Sequence, residues 1–184
     1  GVGKRREAGR LRDRLLSIEP LYAVNDSQYA KLLMETGRLD EAEKYLRASE
    51  DLGWPSPEDR LTLAVLRGDT RAAPDIARQM PPGWRDALAL AAQIGPDRAA
   101  ADQALADMLA DKAWVERLGN GETDNRYRVA RVYALRGDAG HALEWLERGW
   151  IHNHANALFM LADPLILRFR DDPRFIAFCE KIGL

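Results

Sequence analysis

Residues 29–55 read YAKLLMETGRLDEAEKYLRASEDLGWP and place two amphipathic helical stretches on either side of Gly37. Apolar or small residues recur at helical spacing on both sides of the glycine, at Tyr29, Ala30 and Leu33 before it and at Ala42, Tyr45, Leu46 and Ser49 after it. A glycine tolerates the positive φ that ends a first helix, and an alanine lets two helices cross closely. The stretch therefore predicts an antiparallel pair of helices.

The same plan recurs along the chain. Residues 125–150, NRYRVARVYALRGDAGHALEWLERGW, repeat it without an internal gap. Glycines with an alanine five places later occur five times, at Gly3, Gly37, Gly68, Gly95 and Gly137, with spacings of 34, 31, 27 and 42 residues. Such spacings are typical of stacked helical hairpins. The sequence thus predicts an all-α repeat protein.

These positions resemble the tetratricopeptide repeat family, whose hairpins carry a small residue and a large one, a turn glycine, and then alanine, a large residue and a small one. Two units match well, through Ala30, Leu33, Gly37, Ala42, Leu46 and Ser49, and through Ala130, Tyr133, Gly137, Ala142, Leu146 and Gly149. Two middle units match less closely, through Leu61, Ala64, Gly68, Ala73, Ala77 and Met80, and through Trp84, Leu88, Ala91, Gly95, Ala100 and Ala104. The resemblance implies a right-handed solenoid of stacked antiparallel helical hairpins with a C-terminal capping helix.

We therefore expect residues 1–184 to form one solenoid domain. Its parts are a partial repeat at 1–22, hairpins at 23–54, 55–80, 81–112 and 123–150, and a terminal hairpin or cap at 151–184. Pro74 departs from the pattern, because proline is tolerated only in a first helical turn, so its helix should begin near Ala73 or bend. Asp171 and Asp172 precede Pro173, where they are expected to cap the last helix.

The C-terminal third carries a second resemblance. The stretch 169–175, FRDDPRF, is similar to the terminal repeat and cap of bacterial multidomain signalling proteins. In that group the repeats follow a winged-helix DNA-binding domain, a nucleotide cyclase or a protein kinase. The resemblance implies that this chain is the C-terminal part of a longer protein and serves as its regulatory or assembly arm. We expect a cytoplasmic location, whereas a transmembrane segment upstream of Gly1 would place the repeats in the periplasm.

Composition limits the classes of function. The chain is 46% apolar and 30% charged, with a net charge of −2 and a pI near 6.0. This balance argues against direct contact with nucleic acid, which needs a concentrated excess of lysine and arginine. No apolar run reaches the roughly 18 residues that span a bilayer, so membrane contact is not expected. Cys179 is the single cysteine and reads as a buried structural thiol.

Motifs that suggest catalysis or cofactors are weak. GVGK at residues 1–4 lacks the serine or threonine that follows lysine in phosphate-binding loops, since Arg5 stands there. His152 and His154 would need Asp163 or His141 nearby to bind a metal. No nucleophile, base and orienting group lie at coherent spacing. The sequence predicts a protein that is not an enzyme and carries no cofactor or metal.

The first helices of successive hairpins should line a concave groove that holds a protein or peptide. The residues expected to contact that partner are Ser27, Lys31, Met34, Glu58, Thr62, Arg85, Tyr127 and Arg131. This set lacks the lysine and asparagine pattern with which some family members bind chaperone C-termini.

Two alternatives to partner binding remain open. In one, the chain is a sensor domain in which Trp54, Trp84 and Trp114 or Trp150 line a pocket for a small ligand and control an upstream effector. In the other, the solenoid self-associates, as a homodimer of the parent regulator. The sequence does not identify a partner.

Overall fold

The computed structural model describes residues 23–117, 124–152 and 160–184, together with Arg10 and Arg14, and every element within these ranges is helical. The helices in chain order are α1 (Ala23–Glu35), α2 (Leu39–Asp51), α3 (Pro57–Leu66), α4 (Ala72–Gln79), α5 (Arg85–Gln93), α6 (Arg98–Ala110), α7 (Lys112–Val115), α8 (Asn125–Leu135), α9 (Ala139–His152), a 3-10 helix (Ile166–Phe169) and α10 (Pro173–Lys181). The predicted all-α class is confirmed.

The chain divides into two compact units, Gly1–Gly68 and Asp69–Leu184, which we call unit 1 and unit 2. The division falls between α3 and α4, so the two helices of the hairpin expected at 55–80 belong to different units. That hairpin, the single solenoid domain and its right-handed course stay predictions.

In unit 1, α1 and α2 pack against each other and α3 packs on both. Their core is formed by Tyr29, Ala30, Leu33, Met34, Ala42, Leu46 and Leu63. Tyr29 meets the partly buried Tyr45 edge to face, with ring centroids 4.6 Å apart. The quoted stretch thus forms the helix pair that its periodicity predicts.

The turn after α1 explains why glycine is needed there. Gly37 has a φ of 75°. Its N–H donates to Met34 O at 3.1 Å, and the next N–H, of Arg38, donates to Leu33 O at 2.9 Å. This pair of bonds is the Schellman motif, which satisfies the last carbonyls of a helix and requires a left-handed residue. Gly137 repeats it with a φ of 79°.

In unit 2, α5 pairs with α6, α8 pairs with α9, and α5 also contacts α8. The short α7 packs against α8, and the 3-10 helix does the same. A core forms between α8, α9, the 3-10 helix and α10, from Tyr127, Ala130, Ala134, Ala142, Leu146, Met160, Ile166, Phe175 and Phe178. Helices that are neighbours in the sequence are therefore neighbours in this unit.

Details of α4, α5 and α10 refine the expectations. Helix α4 begins at Ala72, so Pro74 lies in its first turn, as predicted within one residue. Gly95 does not have the expected positive φ; an added Cβ there would lie 3.3 Å from Ala92 O. Asp172 caps α10 by accepting the N–H of Arg174 at 2.9 Å, as predicted.

The thiol of Cys179 is half-buried against the unit 2 core, and burial raises its pKa, which suits a structural role. None of the helices in the described ranges combines the length and the apolar composition needed to cross a membrane. The partial repeat at 1–22 lies outside the described residues except for Arg10 and Arg14. Residues 118–123 and His154 also lie outside them.

Candidate functional site

An apolar cleft opens in unit 2 where α4 ends early. Helix α4 has 8 residues, whereas α6 has 13 and α9 has 14. Met80 leaves the helix with φ −68° and ψ 150°, because a residue that precedes proline is excluded from the helical region. Pro81 and Pro82 follow and cannot continue a helix. The chain then turns at Gly83 and starts α5 at Arg85.

This early end leaves Leu88 on α5 uncovered beside an apolar surface. The cleft has a volume of about 400 Å³, within the usual range for ligand pockets. Leu88 on α5 is 53% exposed, although its repeat position predicted a core residue. The cleft is lined by Ala77, Met80, Pro81, Pro82, Trp84, Leu88, Ala104 and Met108, with Arg78, Arg85 and Asp107 at the rim.

The indole of Trp84 is held from outside the cleft by Arg128 on α8. The guanidinium carbon of Arg128 lies 4.0 Å from the centroid of the Trp84 ring. Such a cation–π contact contributes roughly 0.5 to 2 kcal/mol, more when the cation is desolvated, and Arg128 is only 6% exposed. Trp84 is thus a preorganised wall of the cleft.

The turn before Trp84 is anchored by a second tryptophan. Trp114 on α7 is buried, and its Nε1–H donates to Gly83 O at 2.6 Å. Its own carbonyl accepts from Asn125 Nδ2 at 2.7 Å, at the start of α8. Asp111 caps α7 by accepting the Trp114 N–H at 3.0 Å. Helices α7 and α8 therefore fix the position of the turn that forms one end of the cleft.

Behind Trp84 lies a buried network of charged side chains. Asp86 on α5 places its carboxylate oxygens 3.4 Å from an Arg128 terminal nitrogen, and one of them 3.8 Å from Arg131. Arg131 Nε in turn lies 2.7 Å from Asp163 Oδ2. Asp163 also accepts the hydroxyl of Tyr127 at 2.8 Å. All five side chains are at most 7% exposed, so the network joins α5, α8 and the segment after residue 160 inside unit 2.

The rim charges already have partners on their own surface. Arg78 pairs with Asp75 at 2.7 Å, and Arg85 pairs with Asp111 at 2.7 Å. The Arg78 side chain is 64% exposed and that of Arg85 is 49% exposed. Ion pairs of this kind contribute about 0 to 1 kcal/mol, so a ligand carboxylate can compete for either arginine.

Unit 1 contains a separate polar cluster around Asp59, which is 4% exposed. Its carboxylate accepts from Ser56 Oγ at 2.6 Å and from Ser27 Oγ at 3.0 Å. Lys31 Nζ lies 3.5 Å away. Burial raises the pKa of Asp59, while Lys31 and the serine hydroxyls oppose that rise. The cluster links the first turn of α3 to α1.

The eight residues expected to line a partner groove lie in different environments. Ser27, Met34, Thr62, Tyr127 and Arg131 are buried, whereas Lys31 and Glu58 are half-buried and Arg85 is exposed. Ser27 and Lys31 meet at Asp59, and Tyr127 and Arg131 meet at Asp163. Only Arg85 among the eight is part of the cleft lining.

Several residues of the site were assigned other roles from the sequence. Met80 and Leu88 occupy repeat positions; Met80 is buried as that position predicts, whereas Leu88 is exposed. The tryptophan content is the sequence signal for a pocket, and Trp84, which the small-ligand hypothesis places in one, does line the cleft. Trp114 instead supports the turn. Asp86 and Arg128 carried no pattern that marks them as buried partners.

Metal ligands do not converge in the described ranges, where no group of three or more histidine, cysteine, aspartate or glutamate side chains could hold an ion. The two candidate partners of the histidine pair have other contacts. His141 stacks on Tyr133 at 4.9 Å, and its Nδ1 lies 2.7 Å from Asp138. Asp163 belongs to the buried network.

Comparison of the chain with protein-family models, with curated proteins and with solved structures found no match. The site is therefore interpreted from its own geometry.

Proposed function

We propose that this chain is a non-catalytic binding module that takes a large apolar side chain of a protein or peptide partner into the cleft beside Trp84. The cleft itself carries the proposal: it is apolar, about 400 Å³ in volume and exposes Leu88. Exposed leucines that face a concave apolar surface are typical of interaction sites. The arginines at the rim favour a partner with acidic residues beside its apolar side chain.

The rigidity of the walls supports this reading. Trp84 is fixed by Arg128, and its turn is fixed by Trp114. A wall that is ordered before binding lowers the entropic cost of association. The two methionines, Met80 and Met108, can adapt to side chains of different shape because they are unbranched and flexible.

A selection from a random peptide library tests the proposal. We expect enriched peptides to share one aromatic or large aliphatic residue flanked by acidic residues. Leu88→Asp should weaken their binding at least tenfold, because it places a charge in the apolar cleft. Ile176→Asp is the matched control, since Ile176 is 45% exposed on α10 and does not line the cleft. Peptide binding that ignores Leu88→Asp would contradict the proposal.

A small apolar ligand is the second candidate, and the position of Trp84 in the cleft wall favours it. A ligand beside the indole should change its fluorescence at micromolar concentration. Trp84→Phe identifies the responding residue, because it keeps an aromatic wall and removes the indole signal. A metabolite screen without any Trp84-dependent change would argue against this candidate.

The wider role follows from the resemblances. We propose that the hairpins stack in the right-handed manner of tetratricopeptide repeats, that partners also contact Lys31 and Glu58 on unit 1, and that the chain is the regulatory or assembly arm of a bacterial cytoplasmic protein. Mass spectrometry of the intact parent protein tests the last point. A parent without an effector domain would favour an assembly scaffold.

A further inference from the structure

A tryptophan is displayed on the surface of unit 1. Trp54 is 54% exposed, and the neighbouring Leu52 is 40% exposed. Both lie in the turn that follows α2. Tryptophan is among the residue types most enriched at binding hot spots, and here it lies beside a second exposed apolar side chain.

The backbone of this turn is well ordered by its own hydrogen bonds. Gly53 has a φ of 83°, its N–H donates to Glu50 O at 2.8 Å, and the Trp54 N–H donates to Ser49 O at 2.9 Å. The Ser49 hydroxyl returns to Trp54 O at 2.9 Å. In this Schellman motif the residue after the glycine commonly packs back on its helix, but Trp54 projects into solvent instead. Pro55 follows directly and stiffens the chain.

An exposed carboxylate lies beside the tryptophan, and exposed arginines lie at the rim of the cleft. Residues 48–59, ASEDLGWPSPED, contain four carboxylates and neither lysine nor arginine. Of these, Glu50 is paired with Arg60 and the buried Asp59 with Lys31, whereas Asp51 is exposed at the end of α2, next to Leu52. At the rim of the cleft in unit 2, the exposed Arg78 and Arg85 are held only by surface ion pairs with Asp75 and Asp111, for which another carboxylate can compete. Asp51 beside Trp54 could therefore pair with a rim arginine if the turn enters the cleft of a second copy.

We propose that the Trp54 turn of one copy inserts into the Trp84 cleft of a second copy, so that the chain self-associates. This inference rests on the proposed function, because it names the occupant of the same cleft. One aromatic side chain with Leu52 beside it suits a cleft of about 400 Å³ lined by apolar residues. Each copy carries both the tryptophan and the cleft, so the contact closes as a reciprocal dimer or extends head to tail.

Complementation of two variants tests the inference by sedimentation velocity. Trp54→Ala removes the tryptophan but keeps the cleft, and Leu88→Asp blocks the cleft but keeps the tryptophan. We expect the native chain to associate with increasing concentration and each variant alone to associate roughly 30-fold more weakly, the loss typical of a hot-spot tryptophan. An equimolar mixture of the two variants should regain a complex with one copy of each.

Controls distinguish the loss of this contact from misfolding, and specific self-association from nonspecific association. Circular dichroism and melting should be unchanged in both variants, because both side chains are more than half exposed. Ile176→Asp should associate like the native chain. Raising the salt concentration should weaken association modestly, because it screens the attraction between Asp51 and the rim arginines.

Two results would overturn the inference. One is a native chain that stays monomeric at high concentration; the other is a variant mixture that forms no more complex than either variant alone. The proposed function is judged separately: if Trp54→Ala binds selected peptides in a Leu88-dependent manner but does not capture the Leu88→Asp copy, the cleft binds partners and only self-insertion fails.

Discussion

Asp86 shows most directly how single residues hold unit 2 together. It is 1% exposed and is shared between Arg128 and Arg131. Burial removes the water that would otherwise stabilise these charges, so each depends on its partners. A buried pair is weak evidence for net stabilisation, but removing one member of the pair is costly.

Asp86→Ala should therefore lower the free energy of unfolding by about 3 to 5 kcal/mol, because two buried arginines lose their shared carboxylate. Urea unfolding followed by circular dichroism measures it. Glu144→Ala is the matched control: Glu144 is paired with Arg148 at 2.6 Å on the surface of α9, and its loss should leave stability unchanged within error. A small effect of Asp86→Ala would mean that water or other side chains solvate the arginines.

Asp59 makes the stability of unit 1 depend on pH. Burial raises its pKa above the ordinary value of 3.8, so the folded state binds its proton more tightly than the unfolded state does. This contribution favours folding at low pH and is lost as the pH rises from about 3.8 through the folded pKa. The usual salt-bridged carboxylate has the opposite dependence.

Asp59→Asn should consequently be less destabilising at pH 7 than at pH 4, relative to the native chain at the same pH. Asparagine keeps an acceptor for Ser27 and Ser56 but does not titrate. Unfolding midpoints of both proteins between pH 4 and pH 7 measure the difference. A difference that grows with pH instead would indicate that the ion pair with Lys31 outweighs burial.

At the scale of elements, turn glycines and helix-crossing alanines determine where helices end and how closely they pack. Gly137 has a φ of 79°, and Ala142 is completely buried between neighbouring helices. In contrast, Gly83 has no positive φ, and nothing lies within 4 Å of an added Cβ. Gly83 is thus a matched control for Gly137. An added Cβ has room at both positions, so only the backbone conformation differs between them.

Gly137→Ala should destabilise unit 2 by about 1 to 2 kcal/mol, because alanine is strained in the left-handed region. Gly83→Ala should be neutral or slightly stabilising, since its backbone conformation suits alanine and the unfolded chain becomes less flexible. Thermal unfolding measures both. Equal effects of the two substitutions would remove the conformational explanation.

Ala142→Leu should destabilise by about 1 to 3 kcal/mol, because three additional carbon atoms must fit into a filled helix crossing. Ala106→Leu on α6 is the control, since Ala106 is exposed and leucine is also a good helix former. Urea unfolding of both variants compares them. If Ala142→Leu is tolerated, the crossing has more free volume than its complete burial indicates.

Many helix ends could be predicted from the sequence, because they depend on the conformational preferences of one or two neighbouring residues. Gly37 and Gly137 end helices through left-handed backbones, Pro74 lies in a first turn, and Asp172 caps α10. Gly95 was misleading, since it ends α5 without a positive φ. Residue type indicates that a turn is present, but not which of several turn geometries forms.

The cleft was less predictable from the sequence, because it depends on the surface of α5 that the short helix α4 leaves exposed. Leu88 occupies a repeat position that is normally buried, and its exposure follows from the short length of α4. The partners of Asp86 lie 42 residues away at Arg128, and spacing alone does not reveal such a contact. The sequence predicts that Arg131 contacts a partner in the groove, because charged side chains are normally exposed, but Arg131 is buried.

At the scale of the whole molecule, the two units have separate cores. Leu33 is fully buried in unit 1, and Ile166 is fully buried in unit 2. Replacing either by alanine should cost about 2 to 5 kcal/mol in local stability. Hydrogen exchange measured by mass spectrometry can then report where protection is lost.

We expect Leu33→Ala to accelerate exchange mainly in α1, α2 and α3, and Ile166→Ala to accelerate it mainly in α8, α9 and α10. The reason is that each side chain contacts helices of its own unit. Each variant is the control for the other. A uniform loss of protection along the chain would show that the units unfold as one.

The buried network also bears on how long the folded state lasts. Tyr127 and Asp163 are 36 residues apart in the sequence, and Arg128 and Asp86 are 42 apart, so both contacts carry the entropic cost of closing a long loop. Contacts that close after the folding transition state leave the folding rate unchanged and slow unfolding. We therefore expect loss of the network, as in Asp86→Ala, to speed the unfolding of unit 2 more than it slows refolding, which stopped-flow unfolding and refolding rates measure.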